Sequence, residues 1–162
     1  MKASSYGIFR TKKTALAVIL LCMVVADASA GTDEYSDERS LKEARTALAR
    51  NDLVAARAGF EAQTDDPAMR FAAMTGLIQV RWAEGDQGGA MKELEGLLRE
   101  NPANLSLRAL KASFLRSSGR FAEAETELVR IARVDPENSE MSREKGLLNF
   151  DQGRFADAAP LF

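Results

Sequence analysis

The sequence Gly119-Arg120-Phe121-Ala122-Glu123-Ala124 recurs as Gly153-Arg154-Phe155-Ala156-Asp157-Ala158, at an offset of 34 residues. Pro102 and Pro136 share this spacing. So do a column of alanines and a column of large apolar residues: Ala56, Ala90, Ala124 and Ala158; Phe60, Leu94, Leu128 and Phe162. A constant period over most of the chain indicates a repeat array, in which each unit packs on its neighbours.

The composition favours helix in each unit. Ala, Leu, Glu and Arg are abundant, and all four have high helix propensity. Gly119 and Gly153 predict turns between helices, because glycine tolerates positive φ after a helix end. Pro102 and Pro136 predict the end of a unit, since proline cannot continue a helix. The sequence therefore predicts an all-α fold built from pairs of short helices.

This pattern resembles the tetratricopeptide repeat (TPR) family. Ala56-x₃-Phe60 and Ala158-x₃-Phe162 match its A-x₃-F element, and Asn101-Pro102 and Asp135-Pro136 match the proline that closes each repeat. The resemblance implies an α-α superhelix, a solenoid of paired antiparallel helices, over residues 37–162. The repeats are expected at about 37–70, 71–104, 105–138 and, as a partial unit, 139–162.

The N-terminal sequence predicts a secretory signal peptide over residues 1–30. A basic start (Lys2, Arg10, Lys12 and Lys13) precedes the apolar stretch 14–26, and Ala28-Ser29-Ala30 is a small-x-small cleavage sequence. The alternative is an uncleaved membrane anchor, but a spanning helix needs about 20 apolar residues. Residues 31–36 are expected to be a flexible lead-in.

Several kinds of site are disfavoured by the residues present. The chain has no histidine, and its one cysteine, Cys22, lies in the apolar N-terminal stretch, so we expect no enzyme, no metal site and no cofactor. Asp65-Asp66 precedes Pro67 and is typical of a turn. The glycine-rich sequence 85–89 lacks the Lys-Ser/Thr ending of a phosphate loop and is interpreted as an inter-helix turn.

The charge balance disfavours nucleic acid as a partner. Residues 1–30 hold four of the 22 basic residues and one of the 24 acidic residues, so the remainder carries a net charge of −5. A nucleic-acid binder normally has a basic surplus or a basic face. Membrane contact is expected only through the signal segment or a region downstream of these residues.

The resemblance also implies where a ligand would bind, because TPR ligands usually lie against the first helices of the pairs. The predicted contact residues on that surface are Gln79, Trp82, Ser113, Arg116, Arg143 and Phe150. Large aromatic and Arg side chains dominate binding hot spots. Two alternatives stay open: Trp82 and Phe150 pack between neighbouring repeats, and Arg116 and Arg143 are solvated surface charges.

The predicted function is an exported, periplasmic scaffold that binds a protein or peptide segment in its concave groove during envelope assembly. The alternative is the N-terminal TPR region of a longer outer-membrane polysaccharide or surface-protein export protein. That alternative follows from the apolar residues 158–162, which would be exposed at the end of an array. Because terminal repeats need a polar cap, we expect the chain to continue beyond Phe162 or a partner to cover this end.

Overall fold

The structure is a computed structural model that describes residues 38–161. The predicted signal peptide (1–30), the lead-in (31–36) and Phe162 lie outside the described residues. Helix α1 covers residues 38–49 of the described part. The helices that follow are α2 Leu53–Glu61, α3 Arg70–Ala83, α4 Gln87–Glu100, α5 Leu105–Ser117, α6 Phe121–Ala132, α7 Ser139–Asp151 and α8 Phe155–Ala158, with a 3₁₀ turn at Ala159–Leu161.

Four tight turns join the two helices of each pair, and each turn has one residue in the left-handed backbone region. These residues are 34 positions apart: Asn51 (φ 60°), Gly85 (φ 97°), Gly119 (φ 74°) and Gly153 (φ 73°). In the third turn the Arg120 N–H donates to the Leu115 carbonyl at 2.8 Å, and the other three turns have the equivalent bond. This bond satisfies a carbonyl that the helix end leaves free. The sequence predicted the glycine turns at 119 and 153 but not the turn at Asn51.

Side chains cap the N-termini of four helices. The two Asn caps are 34 residues apart, and so are the two Asp caps. Asn104 and Asn138 each accept a hydrogen bond from the N–H three residues later, at 3.0 and 2.9 Å, and so begin α5 and α7. Asp52 and Asp86 do the same for α2 and α4, at 3.1 and 2.9 Å. Such caps pair N–H groups that have no partner within the helix. The helix boundaries in this array are therefore set by local sequence.

The hydrophobic core consists of three clusters, and each cluster is shared by three consecutive helices. The α1–α3 cluster contains Leu41, Ala44, Ala56, Phe60, Ala73 and Val80. The α3–α5 cluster contains Ile78, Ala90, Leu94, Leu97, Leu107 and Phe114. The α5–α7 cluster contains Ala109, Ala112, Leu115, Ala124, Leu128, Ile131, Met141 and Leu148. Each of α2, α4 and α6 thus packs between its own first helix and the first helix of the next pair.

The periodic columns found in the sequence lie in these clusters. Ala56, Ala90, Ala124 and Ala158 are each at most 2% exposed, so a larger side chain at any of them would meet a neighbouring helix. Of the apolar column, Phe60, Leu94 and Leu128 are buried. Between residues 38 and 161 the structure contains helices and no strand, and the helices pack in chain order. The predicted all-α superhelix of paired helices is confirmed.

Ion pairs on the outer surface also cross the repeat boundaries. Arg57 on α2 pairs with Glu84 at the end of α3, and this hydrogen bond raises the pKa of Arg57 above its ordinary value. Lys111 on α5 lies 3.1 Å from Glu95 on α4. Exposed pairs of this kind contribute about 0–1 kcal/mol each, so the apolar clusters hold the repeats together.

Two further features of residues 38–161 bear on function. No helix in that range combines the length and the apolar character that crossing a bilayer requires. The same residues hold no group of three acidic or thiol side chains that could bind a metal ion.

Replacement of Gly119 by Ala tests the turn geometry. A Cβ at this position meets no atom within 4 Å, so the cost is purely conformational and should lower the free energy of unfolding by about 1 kcal/mol. Gly88 lies within α4, and a Cβ there also meets no atom within 4 Å. Gly88→Ala should raise the free energy of unfolding by about 0.5–1 kcal/mol. Urea denaturation measures both variants, and equal shifts would contradict this account of the turns.

Candidate functional site

The first helices of the four pairs enclose a groove on the concave side of the array. Its volume is about 740 Å³, and it extends from α1 to α7. All of its lining residues except Phe60 come from first helices: Arg45 and Leu48; Phe71, Ala72, Thr75, Gly76 and Gln79; Ser106, Ala109, Leu110, Ser113 and Arg116; Glu140, Arg143 and Glu144. A groove of this size and continuity is large enough for a peptide segment.

One periodic position of the groove holds a different kind of residue in each of three repeats. This position holds Gly76, then Leu110, then Glu144. A Cβ at Gly76 would lie 2.4 Å from a ring carbon of Phe60, so the missing side chain makes room for that ring. At this position the groove therefore has no side chain in its second repeat and a carboxylate in its fourth.

The Glu144 carboxylate organises the α7 end of the groove. Glu144 is 2% exposed, accepts a hydrogen bond from Arg116 Nε at 3.4 Å and forms an ion pair with Arg143 at 2.8 Å. Arg116 also reaches Asp151, at 2.6 Å. A buried carboxylate needs such partners, because an unpaired buried charge is costly. These contacts join α5 to α7 and hold the guanidinium of Arg116 in place.

Four of the six predicted contact residues line the groove. Gln79 and Ser113 lie 34 positions apart in the groove and are half-buried. Arg143 keeps 64% of its side chain exposed at the groove edge. Arg116 is 18% exposed and fixed by carboxylates, so the interpretation of Arg116 as a solvated surface charge is wrong. The binding role of these four residues stays a prediction.

The two aromatic residues of the predicted set do not line this groove. The Trp82 ring stacks on Phe114, with centroids 3.9 Å apart and an interplanar angle of 9°. Trp82 on α3 therefore packs against α5, which is the alternative that the sequence left open. Phe150 is 56% exposed and makes an edge contact with Phe155, at a centroid distance of 5.2 Å. A binding role for either residue stays a prediction.

Sequence analysis missed the two carboxylates of the groove, Glu140 and Glu144. The periodic pattern gave no clear signal for Glu144, because the equivalent positions hold Lys42, Gly76 and Leu110 and so have no common character. Its arginine partners could not be assigned without the distance between α5 and α7.

The turn interpretation of the acidic pair fits the structure. The Asp66 carboxylate accepts from the Ala68 N–H at 2.9 Å, which is typical of a turn before a helix. The glycine-rich sequence 85–89 contains the turn at Gly85 and the first residues of α4.

Comparison with known proteins supports the resemblance to TPR proteins. Residues 81–145 match the tetratricopeptide repeat family model. The chain is also similar to the crystal structure of a tetratricopeptide repeat protein from Parabacteroides merdae, with a TM-score of 0.51 and 20% sequence identity. The match covers 78% of this chain but only 50% of that one, so the chain spans half the length of its structural relative. No curated protein matches the chain.

Residues 81–145 are therefore similar to tetratricopeptide repeats, and the structural match shows a fold of the same kind. Repeats of this kind generally mediate interactions between proteins. Their typical ligands are proteins or peptides, and a concave groove is the surface that such an array provides.

Replacement of Glu144 by Gln tests the buried ion pairs of the groove. The amide keeps the shape but loses the charge that Arg116 and Arg143 contact, so the free energy of unfolding should fall by about 2 kcal/mol. The control is Glu43→Gln, which removes an exposed ion pair with Arg39. It should change the free energy of unfolding by less than about 1 kcal/mol. Urea denaturation compares the two variants. An equal effect of both would show that Glu144 is not a structural anchor.

Proposed function

We propose that this protein is an exported, periplasmic scaffold whose concave groove binds a segment of a partner protein and so helps to assemble a complex in the cell envelope. The observation that carries the proposal is the continuous groove of about 740 Å³, formed by the first helices of all four pairs. A surface that draws on every repeat exists only in the stacked array, as expected for a scaffold.

The side chains of the groove support binding rather than catalysis. Ser106 and Ser113 place hydroxyl groups in it, and Gln79 places an amide there. These are groups that hydrogen-bond to a peptide without reacting with it. The charged groups Arg116 and Glu144 form an ion pair with each other.

The export part of the proposal is supported by the sequence. The basic start, the apolar stretch 14–26 and Ala28-Ser29-Ala30 have the order of a signal peptide. A chain without cysteine beyond residue 22 also suits a periplasm, where small domains can fold without disulfides.

Site-specific photo-crosslinking in cells tests this function. The full-length chain carries a photoreactive residue at Gln79, inside the groove. We expect one discrete adduct in the periplasmic extract, and we expect Ser113→Trp in the same chain to reduce it about tenfold or more by filling the groove. The control is Thr126→Trp, which changes an exposed residue of α6 that does not line the groove and should leave the adduct unchanged.

An adduct that persists with Ser113→Trp would contradict binding in the groove. Recovery of the chain from the cytosol with residues 1–30 intact would contradict export.

A further inference from the structure

The charged residues of the groove fall into a paired set and an unpaired set. Arg116, Arg143 and Glu144 form ion pairs with one another or with Asp151. Arg45 and Glu140 also line the groove and are exposed. Neither of these two forms an ion pair or a hydrogen bond through its side chain with any residue in the range 38–161. A ligand in the groove therefore meets one available cation and one available anion.

These two charges lie at opposite ends of the groove. Arg45 is on α1 and Glu140 is on α7, so three steps between neighbouring first helices separate them. Packed helices are 8–10 Å apart, which gives a separation of roughly 25 Å. The other charged lining residues at the α7 end, Arg116, Arg143 and Glu144, form ion pairs with one another or with Asp151. The unpaired charge is therefore positive at the α1 end and negative at the α7 end.

The floor between these ends is uncharged and offers hydrogen bonds. Gln79, Ser106 and Ser113 line it, and none of their side chains has a hydrogen-bond partner in the groove. Thr75 donates to the Phe71 carbonyl at 2.8 Å and keeps the acceptor capacity of its hydroxyl. An extended backbone presents N–H and C=O groups that need partners, whereas a helix pairs its own. The floor therefore suits an extended segment.

We infer that the groove takes an extended, dipolar peptide segment, with an acidic side chain at Arg45, a basic side chain at Glu140 and its backbone bonded to the floor. At about 3.3 Å per residue, a separation of roughly 25 Å corresponds to about seven or eight residues between the two charges. This inference rests on the proposed function and names the chemistry of the partner. Glu140 would repel a uniformly acidic ligand such as nucleic acid, and Arg45 would repel a uniformly basic one.

A display library of random twelve-residue peptides tests the inference on the full-length chain. Selection is carried out on the unchanged chain and on the double variant Arg45→Glu with Glu140→Arg. We expect the unchanged chain to enrich peptides with opposite charges about seven or eight residues apart, in one order along the peptide. The double variant should enrich the reverse order.

Two control chains accompany this selection. Arg133→Glu with Glu137→Arg reverses two exposed charges that do not line the groove, and it should enrich the same peptides as the unchanged chain. Arg45→Gln with Glu140→Gln removes the groove charges without reversing them, and it should enrich peptides with no charge order.

Synthetic peptides with capped ends then give the size of the effect by fluorescence anisotropy. The enriched order should bind the unchanged chain about fivefold more tightly than the same composition with the two charges exchanged, as two exposed ion pairs provide. This preference should shrink at about 1 M salt, where the Debye length is near 3 Å.

The outcomes separate this inference from the proposed function. Peptides that Ser113→Trp excludes but that show no charge order would overturn the inference and leave groove binding intact. The same charge order on the unchanged chain and on the double variant would also overturn it. Failure of every peptide to bind in a manner blocked by Ser113→Trp would overturn both.

Discussion

The structure depends on one constraint: a single pair of short helices cannot bury its own apolar face. Each apolar cluster is therefore shared by three consecutive helices, so that α4, for example, packs between α3 and α5. Close approach requires a small residue on each second helix, which Ala56, Ala90 and Ala124 provide. Because the requirement recurs once per pair, it sets the 34-residue period and leaves each repeat dependent on its neighbours.

The groove follows from this packing without being specified separately. Second helices fill the spaces between pairs, so the first helices are left to face a common concave side. Residues that line the groove do not have to fill the hydrophobic core, so they can differ between repeats. Gly76, Leu110 and Glu144 differ in this way at one periodic position. The fold thus fixes where the surface lies, while these residues determine its chemistry. The buried Glu144 adds a local requirement, because it holds Arg116 and Arg143 and so shapes the α7 end.

The fold was predictable because its determinants are local and periodic. Local structure near each of these residues depends on the residue itself: the glycines at 119 and 153, the prolines and the alanine column. Their spacing repeats along the chain. Asn51 was missed because it replaces glycine in the first turn and breaks the visible pattern.

The site was predictable only in part. The resemblance to TPR proteins predicted Gln79, Ser113, Arg116 and Arg143 as groove residues, but the stacking of Trp82 on Phe114 depends on how α3 and α5 rotate against each other. The ion pairs of Glu144 likewise depend on distances between helices that no single-helix pattern contains.

The central claim is that each set of apolar contacts is confined to three consecutive helices, and methyl nuclear Overhauser effects measure this directly. The account predicts strong effects among Ile78, Leu94 and Leu107, and among Ala112, Leu128 and Met141, since each set shares one cluster. It predicts none between Val80 in the α1–α3 cluster and Leu148 in the α5–α7 cluster. A strong effect between Val80 and Leu148 would mean that the helices close around one common core. That result would contradict both the stacked array and its groove.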